Sequence, residues 1–292
     1  MTKTPVDSIY SGVVSLKGIR TILFLAKLNR LDSCATDIGN AGLEALTKEK
    51  VYIVAGLEFG DLEGHTLVIN KAIYGLCSSG LRWHKKLADT LRDMGFVQSK
   101  AEEDTWMREN DGAYEYIASY VDDLCIVARN PKEITDMLVD RYQYKLKGTG
   151  PINYHLGCNY FRDCDGILCY VPKKYIKNLV IEFERMFGSK PKLYTSPLEK
   201  GDHPELDTSD ELAEEDVKKY QSLIGSLQWT ISLGRMDITT AVMTLSGFRS
   251  CPRKGHLERS KQIVGYLAKM KHSTVRIWTE KLGYSDIPDR DY

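Results

Sequence analysis

Two strand-length apolar runs separated by only three residues constrain the fold of this chain more than any other feature. The stretch "AYEYIASYVDDLCIVARN" is rich in aromatic and β-branched residues on both sides of "VDD", a spacing typical of two antiparallel strands joined by a tight turn. The turn carries two adjacent acids, Asp122 and Asp123, although the flanking runs are typical of buried strands. The sequence therefore predicts a β-hairpin that presents a pair of carboxylates.

The composition is that of a globular protein whose overall charge indicates no particular partner. Of the 292 residues, 42% are hydrophobic and 27% are charged, and 40 Lys and Arg balance 40 Asp and Glu. The charges are unevenly placed, however: residues 201–216 carry eight acids and no Lys or Arg, whereas residues 248–281 carry nine Lys and Arg and two acids. The basic stretch suits either contacts with phosphate groups or a solvated helix face.

The seven cysteines have neither the even number nor the spacing of a disulfide framework, so a reduced, intracellular protein is expected. A cluster of one histidine and three cysteines lacks the paired CxxC spacing of zinc sites, and we interpret it as strand and turn residues of a hairpin. Its members are His155, Cys158, Cys164 and Cys169. No apolar run reaches the roughly 18 residues of a membrane span, and the N-terminus lacks a secretory segment. We therefore expect a cytoplasmic or nuclear protein without a membrane partner.

Between residues 30 and 170, predicted strands alternate with helices and return by hairpins. "SSGLRWHKKLADTLRDMGF" has a helical apolar stripe that stops at Gly95, and "NPKEITDMLVDRYQY" has Pro131 in its first turn. "INYHLGCNYFRDCDGILCYV" predicts a second hairpin that turns at Asp165 and Gly166. This order favours an α+β fold, with a mostly antiparallel sheet packed on helices, over a doubly wound parallel sheet.

Beyond Val171 the pattern becomes helical. "KKYIKNLVIEFERMFG" predicts a helix that ends at Gly188. Three more helical runs lie near residues 214–232, 237–248 and 255–271. A Pro-, Gly- and acid-rich stretch after the first of these four helices is typical of a linker.

The paired acids suggest metal-dependent phosphoryl-transfer chemistry. Two divalent metal ions about 3.5–4 Å apart can clamp the attacking and leaving oxygens, and Mg²⁺ prefers carboxylate oxygen as a ligand. Asp37 is the candidate third acid, because it ends a short apolar run and small residues follow it. Aspartate is also common in hairpin turns, where it forms its own backbone hydrogen bonds. Spacing alone therefore fits either a metal site or a structural turn.

Several motifs, in the same order, resemble the reverse transcriptases of copia-type retrotransposon polyproteins. "YVDD" between apolar strands resembles their catalytic hairpin, and "INKAIYGLCSSGLRWHKKLADTLRDMGFVQSKAEEDTWM" resembles their strand and helix around "R-W". "YHLGCNY", "YIKNLVIEFERMFG" and "YQSLIGSLQWTISLGRMDITTAVMTLSGF" resemble a later hairpin, the thumb helix and the helical segment that follows it. The resemblance extends from about residue 14 to about residue 278.

The resemblance implies an RNA-directed DNA polymerase with a palm, partial fingers, and a helical thumb and connection. The implied segments are 1–170 for partial fingers and palm, 171–200 for a thumb-like helix, 201–216 for an acidic linker, 217–280 for the helical thumb and connection, and 281–292 for the truncated start of a ribonuclease H-like region. The implied partners are an RNA or DNA template with a primer, and deoxynucleoside triphosphates. The implied cofactors are two Mg²⁺ ions, for which Mn²⁺ can substitute.

The resemblance also implies roles for individual residues. The catalytic acids and metal ligands are Asp37, Asp122 and Asp123. The nucleotide- and primer-binding positions are Gly42, Gly75, Tyr120, Val121, Leu156 and Gly157. Lys147 is a candidate general acid for the leaving pyrophosphate, although a solvated lysine in a polar loop is the favoured interpretation. The candidate phosphate contacts on the thumb-like helix are Lys173, Lys174 and Lys177.

Two departures from the family pattern bear on activity. The family has Phe or Tyr, whose ring excludes a ribose 2′-hydroxyl, at the position where this chain has Gly42. The family also has a basic fingers segment before the stretch that corresponds to "VVSLKGIR", and this chain has no matching residues there. The alternative to an active polymerase is therefore a catalytically dead retrotransposon remnant that at most binds nucleic acid. An unrelated metal-dependent phosphohydrolase, the third hypothesis, does not explain the ordered motifs.

Overall fold

The structure is a computed structural model that describes residues 11–73, 76 and 78–279, without the side chains of residues 48 and 49. The described chain divides into two compact units, one reaching to Ile152 and the other formed by Asn153–Trp278. Gly75 and the predicted ribonuclease H-like start at 281–292 lie outside the described residues. The assignment of palm, fingers, thumb and connection to stretches of the chain stays a prediction.

The first unit combines helices with a six-stranded antiparallel sheet. Its helices are α1 (Leu16–Leu28), α2 (Ala41–Glu44), α3 (Ser79–Asp93) and α4 (Pro131–Asp140). Its strands are β1 (Asp32–Ile38), β2 (Leu46–Val54), β3 (Thr66–Lys71), β4 (Val97–Gln98), β5 (Thr105–Asn110), β6 (Ala113–Tyr120), β7 (Asp123–Ala128) and β8 (Leu146–Pro151). The sheet order is β4-β5-β6-β7-β1-β8, and β2 and β3 form a separate hairpin. The mixed helix-and-sheet class and the predicted β6–β7 hairpin are confirmed.

One buried cluster joins the central strands of this sheet to α3. Ile38 of β1 and Leu124 and Ile126 of β7 meet Leu87 and Leu91 of α3 there. These β7 residues are two apart, so they point to the same side of the sheet. The residues that alternate with them along the strands therefore belong to its opposite face.

The second unit is a helical bundle attached to a four-stranded antiparallel sheet. Its helices are α5 (Lys173–Phe187), α6 (Glu214–Ser232), α7 (Thr239–Ser246) and α8 (Lys254–Lys269), and its strands are β9 (Tyr154–His155), β10 (Cys158–Arg162), β11 (Leu168–Val171) and β12 (Val275–Arg276). The sheet order is β12-β11-β10-β9. The predicted turn of the β10–β11 hairpin is confirmed, since Gly166 adopts a φ of +72° between these strands.

Local signals set the ends of several helices. The Ser15 hydroxyl accepts a 3.1 Å hydrogen bond from the Gly18 amide at the start of α1. Gly95 after α3 and Gly188 after α5 have φ values of +88° and +70°, the left-handed conformation that glycine adopts without strain. The predicted ends of these helices are therefore confirmed.

The acid-rich stretch between α5 and α6 packs on α8 through ion pairs. Arg259 of α8 donates to both oxygens of Asp202 at 2.7 Å and also pairs with Asp207. Lys254 donates to Asp210 at 2.8 Å. Part of the basic C-terminal stretch therefore neutralises acids of its own chain, which neither sequence-based interpretation anticipated. None of the described helices is long and apolar enough to cross a membrane.

Candidate active site

Strand register places two of the predicted acids directly opposite each other. Strand β1 lies between β7 and β8, and in this register Asp37 faces Asp123 on one side and Lys147 on the other. Opposed residues of antiparallel strands point to the same face, with Cβ atoms about 4.5–5.5 Å apart. Asp123, Asp37 and Lys147 thus form a row across three neighbouring strands.

The row lies on the side of the sheet away from the buried cluster around α3. Cys34 and Ile38, which alternate with it along β1, belong to that cluster, and Asp37 is half-buried. Asp123 is also half-buried, and the next residue, Leu124, points into the cluster. The two acids are therefore anchored by core residues yet remain accessible to a ligand.

The turn between β6 and β7 brings the third acid to the same end of the sheet. Tyr120 pairs with Asp123, so Val121 and Asp122 are the two turn residues. Val121 has a φ of +58°, which is unfavourable for a β-branched side chain. The Ile38 amide donates a 2.8 Å hydrogen bond to the Asp122 carbonyl, which ties the turn to the end of β1.

Asp122 and Asp37 are close enough to Asp123 to affect the pKa of its carboxyl group. Burial raises the pKa of Asp123 above its ordinary value, and the carboxylates of Asp122 and Asp37 raise it further. Like charges that raise a pKa in this way are repelling each other. A bound cation would relieve that repulsion.

The acids fit an open metal site rather than a complete protein cage. Among the described residues, no group of three or more His, Cys, Asp or Glu is arranged to hold a metal ion by itself. Mg²⁺ in phosphoryl-transfer sites usually takes one or two carboxylates and completes its shell with substrate phosphates and water. Asp37 and Asp123, opposed on one face, fit that requirement.

Comparison with known proteins identifies the family. The profile of the reverse transcriptase (RNA-dependent DNA polymerase) family matches residues 2–198. The chain belongs to this family. A transposon Ty5-1 protein of Saccharomyces cerevisiae is 30% identical over 238 residues, which cover 79% of this chain and 74% of that protein. The resemblance to copia-type retrotransposon reverse transcriptases is thus confirmed.

Other relatives are much longer than this reverse transcriptase chain. The Pol polyprotein from transposon RE1 of Arabidopsis thaliana is 29% identical, and that from transposon TNT 1-94 of Nicotiana tabacum is 27% identical; each match covers 89% of this chain. The chain spans only 17% and 20% of these two polyproteins. No solved structure matches the chain.

The other described candidate residues of the first unit lie in the β6–β7 turn, in α2 and in β8. Tyr120 and Val121 are exposed at the turn. Gly42 is half-buried in α2, which begins three residues after β1 ends. Lys147 lies in strand β8, so its placement in a polar loop is wrong, and its ammonium lies close to Gly39. An exposed lysine beside Asp37 is placed to meet a negatively charged ligand.

The remaining predicted residues belong to the second unit. Leu156 and Gly157 form the turn between β9 and β10, with φ values of +43° and +84°. All three candidate lysines are exposed near the start of α5: Lys173, Lys174 and Lys177. The Lys174 ammonium lies 4.8 Å from the ring centroid of Tyr154. These residues give this unit a basic surface with an aromatic neighbour.

The histidine and cysteine cluster consists of strand and turn residues, as predicted. Burial lowers the pKa of His155 to about 4, so this histidine is neutral at pH 7. Cys158 donates to the Leu233 carbonyl at 3.4 Å and Cys169 to the Asp163 carboxylate at 3.6 Å, whereas Cys164 is exposed in the turn. Each member has its own surroundings, and they do not converge on one point.

Proposed function

We propose that this chain carries the polymerase site of an RNA-directed DNA polymerase. The observation that supports it best is the register that opposes Asp37 and Asp123, with Asp122 beside them in the turn, in a chain of the reverse transcriptase family. The proposed reaction is in-line attack of a primer 3′-hydroxyl on the α-phosphate of a deoxynucleoside triphosphate. The new bond joins the primer oxygen to that phosphorus, and pyrophosphate leaves.

Asp37, Asp122 and Asp123 would hold two Mg²⁺ ions, or Mn²⁺ in their place. When bound, the ions lower the pKa of the primer hydroxyl and neutralise charge on the triphosphate. Core residues at the neighbouring positions of β1 and β7 anchor Asp37 and Asp123, so these two metal ligands would keep their positions. The exposed Tyr120 and Val121 would contact the primer end beside the acids.

Lys147 would act as the general acid in this proposal. It stands next to Asp37 in the strand row, it is exposed, and its side chain reaches toward Gly39 at the end of β1. An ammonium on that face can donate a proton to the leaving pyrophosphate oxygen. A protonated leaving group carries less negative charge, which lowers the barrier to its departure.

The second unit would bind the primer–template duplex. Lys173, Lys174 and Lys177 offer three cations on the first turns of α5, and such contacts with phosphates supply affinity without sequence preference. Leu156 and Gly157 would lie against the primer backbone, where the positive φ of both residues shapes a narrow turn.

Primer extension on poly(rA)/oligo(dT) with Mg²⁺ or Mn²⁺ tests the proposal. Wild-type protein should extend the primer, and Asp122→Asn should abolish extension because the turn loses a metal ligand. Asp111→Asn is the matched control, since Asp111 is an exposed acid in the neighbouring β5–β6 turn of the same sheet. Extension that survives Asp122→Asn would contradict the assignment of the acids.

The alternative is a catalytically dead remnant that binds nucleic acid. The exposed α5 lysines favour binding independently of the acids. Duplex binding without extension, in both wild type and Asp122→Asn, would support this alternative. Extension by the wild type alone would exclude it.

A further inference from the structure

The turn that carries the acids is held from outside the hairpin at two successive carbonyls. The Ile38 amide donates to the Asp122 carbonyl, and the Trp83 indole Nε1 donates a 2.7 Å hydrogen bond to the Val121 carbonyl. Val121 is the residue with the unfavourable φ of +58°. A strained residue persists only where its surroundings over-determine it. The bond from Trp83 is one such constraint.

The Trp83 ring is itself fixed. It is 3% exposed within the buried cluster around α3. Its ring meets that of Tyr144 edge-on, with centroids 5.8 Å apart. The Tyr144 hydroxyl in turn is 2.8 Å from the hydroxyl of Thr90 in α3. The Thr90 hydroxyl also donates a 3.0 Å hydrogen bond to the Lys86 carbonyl of the same helix. The indole N–H therefore has no freedom to follow a turn that moves.

We propose that Trp83 is a positioning residue for nucleotidyl transfer. Its indole N–H holds Val121 in its strained conformation and so keeps the carboxylates of Asp122 and Asp123 beside that of Asp37. The inference rests on the proposed polymerase function. Trp83 does not touch the substrate and acts through the turn. Loss of the N–H lets Val121 relax to negative φ, which rotates the neighbouring peptide and displaces the acids.

The chain contains a matched control for this bond. Trp106 belongs to the same buried cluster and is 1% exposed, but its indole Nε1 has no hydrogen-bond partner within the described part of the chain. Trp83→Phe and Trp106→Phe therefore remove the same atoms from the same core. Only the first removes a bond to the turn.

The experiment compares both variants with wild type in two measurements. Hydrogen–deuterium exchange of the peptide spanning residues 116–128 should become several-fold faster in Trp83→Phe and stay unchanged in Trp106→Phe. In primer extension, kcat should fall about tenfold or more and the half-saturating Mg²⁺ concentration should rise for Trp83→Phe, since small misplacements of catalytic groups are costly. The KM for the duplex should not change.

Unchanged exchange in Trp83→Phe, equal effects of the two variants, or unchanged kcat would each overturn the inference. Absence of extension by wild type would overturn the proposed function, and exchange would still decide whether Trp83 holds the turn. Should Trp83→Phe fail to fold, 3-benzothienylalanine at position 83 replaces it, because this side chain keeps the bicyclic shape and has sulfur in place of the N–H. It should reproduce the faster exchange; exchange equal to wild type would overturn the inference.

Discussion

Gly42 is a residue whose backbone does not require glycine. It lies in helix α2 and is absent from the residues with positive φ. A Cβ built there would have the Ala72 carbonyl oxygen as its near neighbour, at 3.3 Å. A Cβ at this position therefore needs only a small adjustment of the neighbouring backbone. The family resemblance predicts an aromatic ring at this position.

The residue at position 42 is expected to affect which sugar the incoming nucleotide carries. Gly42→Phe should restore discrimination against ribonucleotides, because a ring at this position would collide with a 2′-hydroxyl. The measurement is the ratio of deoxynucleotide to ribonucleotide incorporation in primer extension. Gly42→Ala is the control, since it makes the same backbone contact without a ring. Equal ratios for wild type and Gly42→Phe would refute the prediction.

The pair of His84 and Asp104 predicts a pH-dependent stability. A hydrogen bond to Asp104 raises the pKa of His84 above 6.5, although burial and Arg92 oppose this. Because the folded-state pKa exceeds the unfolded one, the stabilisation is complete below pH 6.5 and is lost as pH rises through the folded-state pKa. Above that pH, His84 is neutral and no longer forms an ion pair with Asp104.

Urea unfolding between pH 5.5 and 9 measures this effect. Wild type should lose about 1.5–3 kcal/mol of unfolding free energy over the range, the size of a hydrogen bond to a charged group. His84→Gln should be less stable at pH 5.5 and should lack this decrease. If His84→Gln kept the full pH dependence of the unfolding free energy, groups other than His84 would be responsible for it.

At the scale of elements, two helical glycines of the second unit have opposite surroundings. A Cβ on Gly265 of α8 would lie 1.8 Å from the Lys192 carbonyl oxygen, in the chain segment that crosses this helix. A Cβ on Gly225 of α6 would meet nothing within 4 Å. The first glycine is therefore required by close packing, whereas the second only weakens its helix.

Alanine substitutions at these glycines should change stability in opposite directions. Gly265→Ala should destabilise the second unit by about 1–3 kcal/mol, because the methyl group forces α8 and the crossing segment apart. Gly225→Ala should stabilise it by about 0.5–1 kcal/mol, the helix-propensity difference. Urea unfolding of each variant gives both values. A stabilising Gly265→Ala would show that the crossing segment moves away at no cost.

Local and long-range features differ in how far the sequence predicts them. The ends of α3 and α5 follow from Gly95 and Gly188, because a cap depends on residues within one turn. The contacts of Trp83 with the turn and of Arg259 with the acid-rich stretch join residues 38 to 57 positions apart. No local pattern encodes such pairs. The "R-W" motif was the signal that could have drawn attention to Trp83.

At the scale of the whole molecule, the candidate active site was predictable only in part. Asp37 could be predicted as the third acid from its position at a strand end and from the family resemblance. The register that opposes it to Asp123, however, depends on strands far apart in the chain. The position of Lys147 beside Asp37 likewise depends on a long-range contact, the pairing of β8 with β1. Sheet order, rather than motif spacing, assembles the site.

The distribution of ion pairs predicts which cations bind nucleic acid. Lys173, Lys174 and Lys177 on α5 are exposed and take part in none of the ion pairs seen among the described residues. A cation that contacts a phosphate releases a counterion, so each such contact steepens the salt dependence of binding. Lysines already paired with acids of the chain release fewer counterions, because their partner is an acid of the same chain rather than a salt ion.

Duplex binding measured between 50 and 300 mM salt tests this distinction. Replacing the three α5 lysines with glutamine should reduce the slope of log Kd against log salt by about 0.9 for each lysine that contacts a phosphate of B-form DNA. The control replaces three exposed basic residues that pair with acids in the second unit, namely Arg185, Lys218 and Lys254. Surface pairs of this kind contribute little to stability, so the control should fold normally and keep the wild-type slope. A slope lowered equally by both triple variants would mean that binding follows the net charge of the unit, and the α5 surface would lose its assignment as the duplex contact.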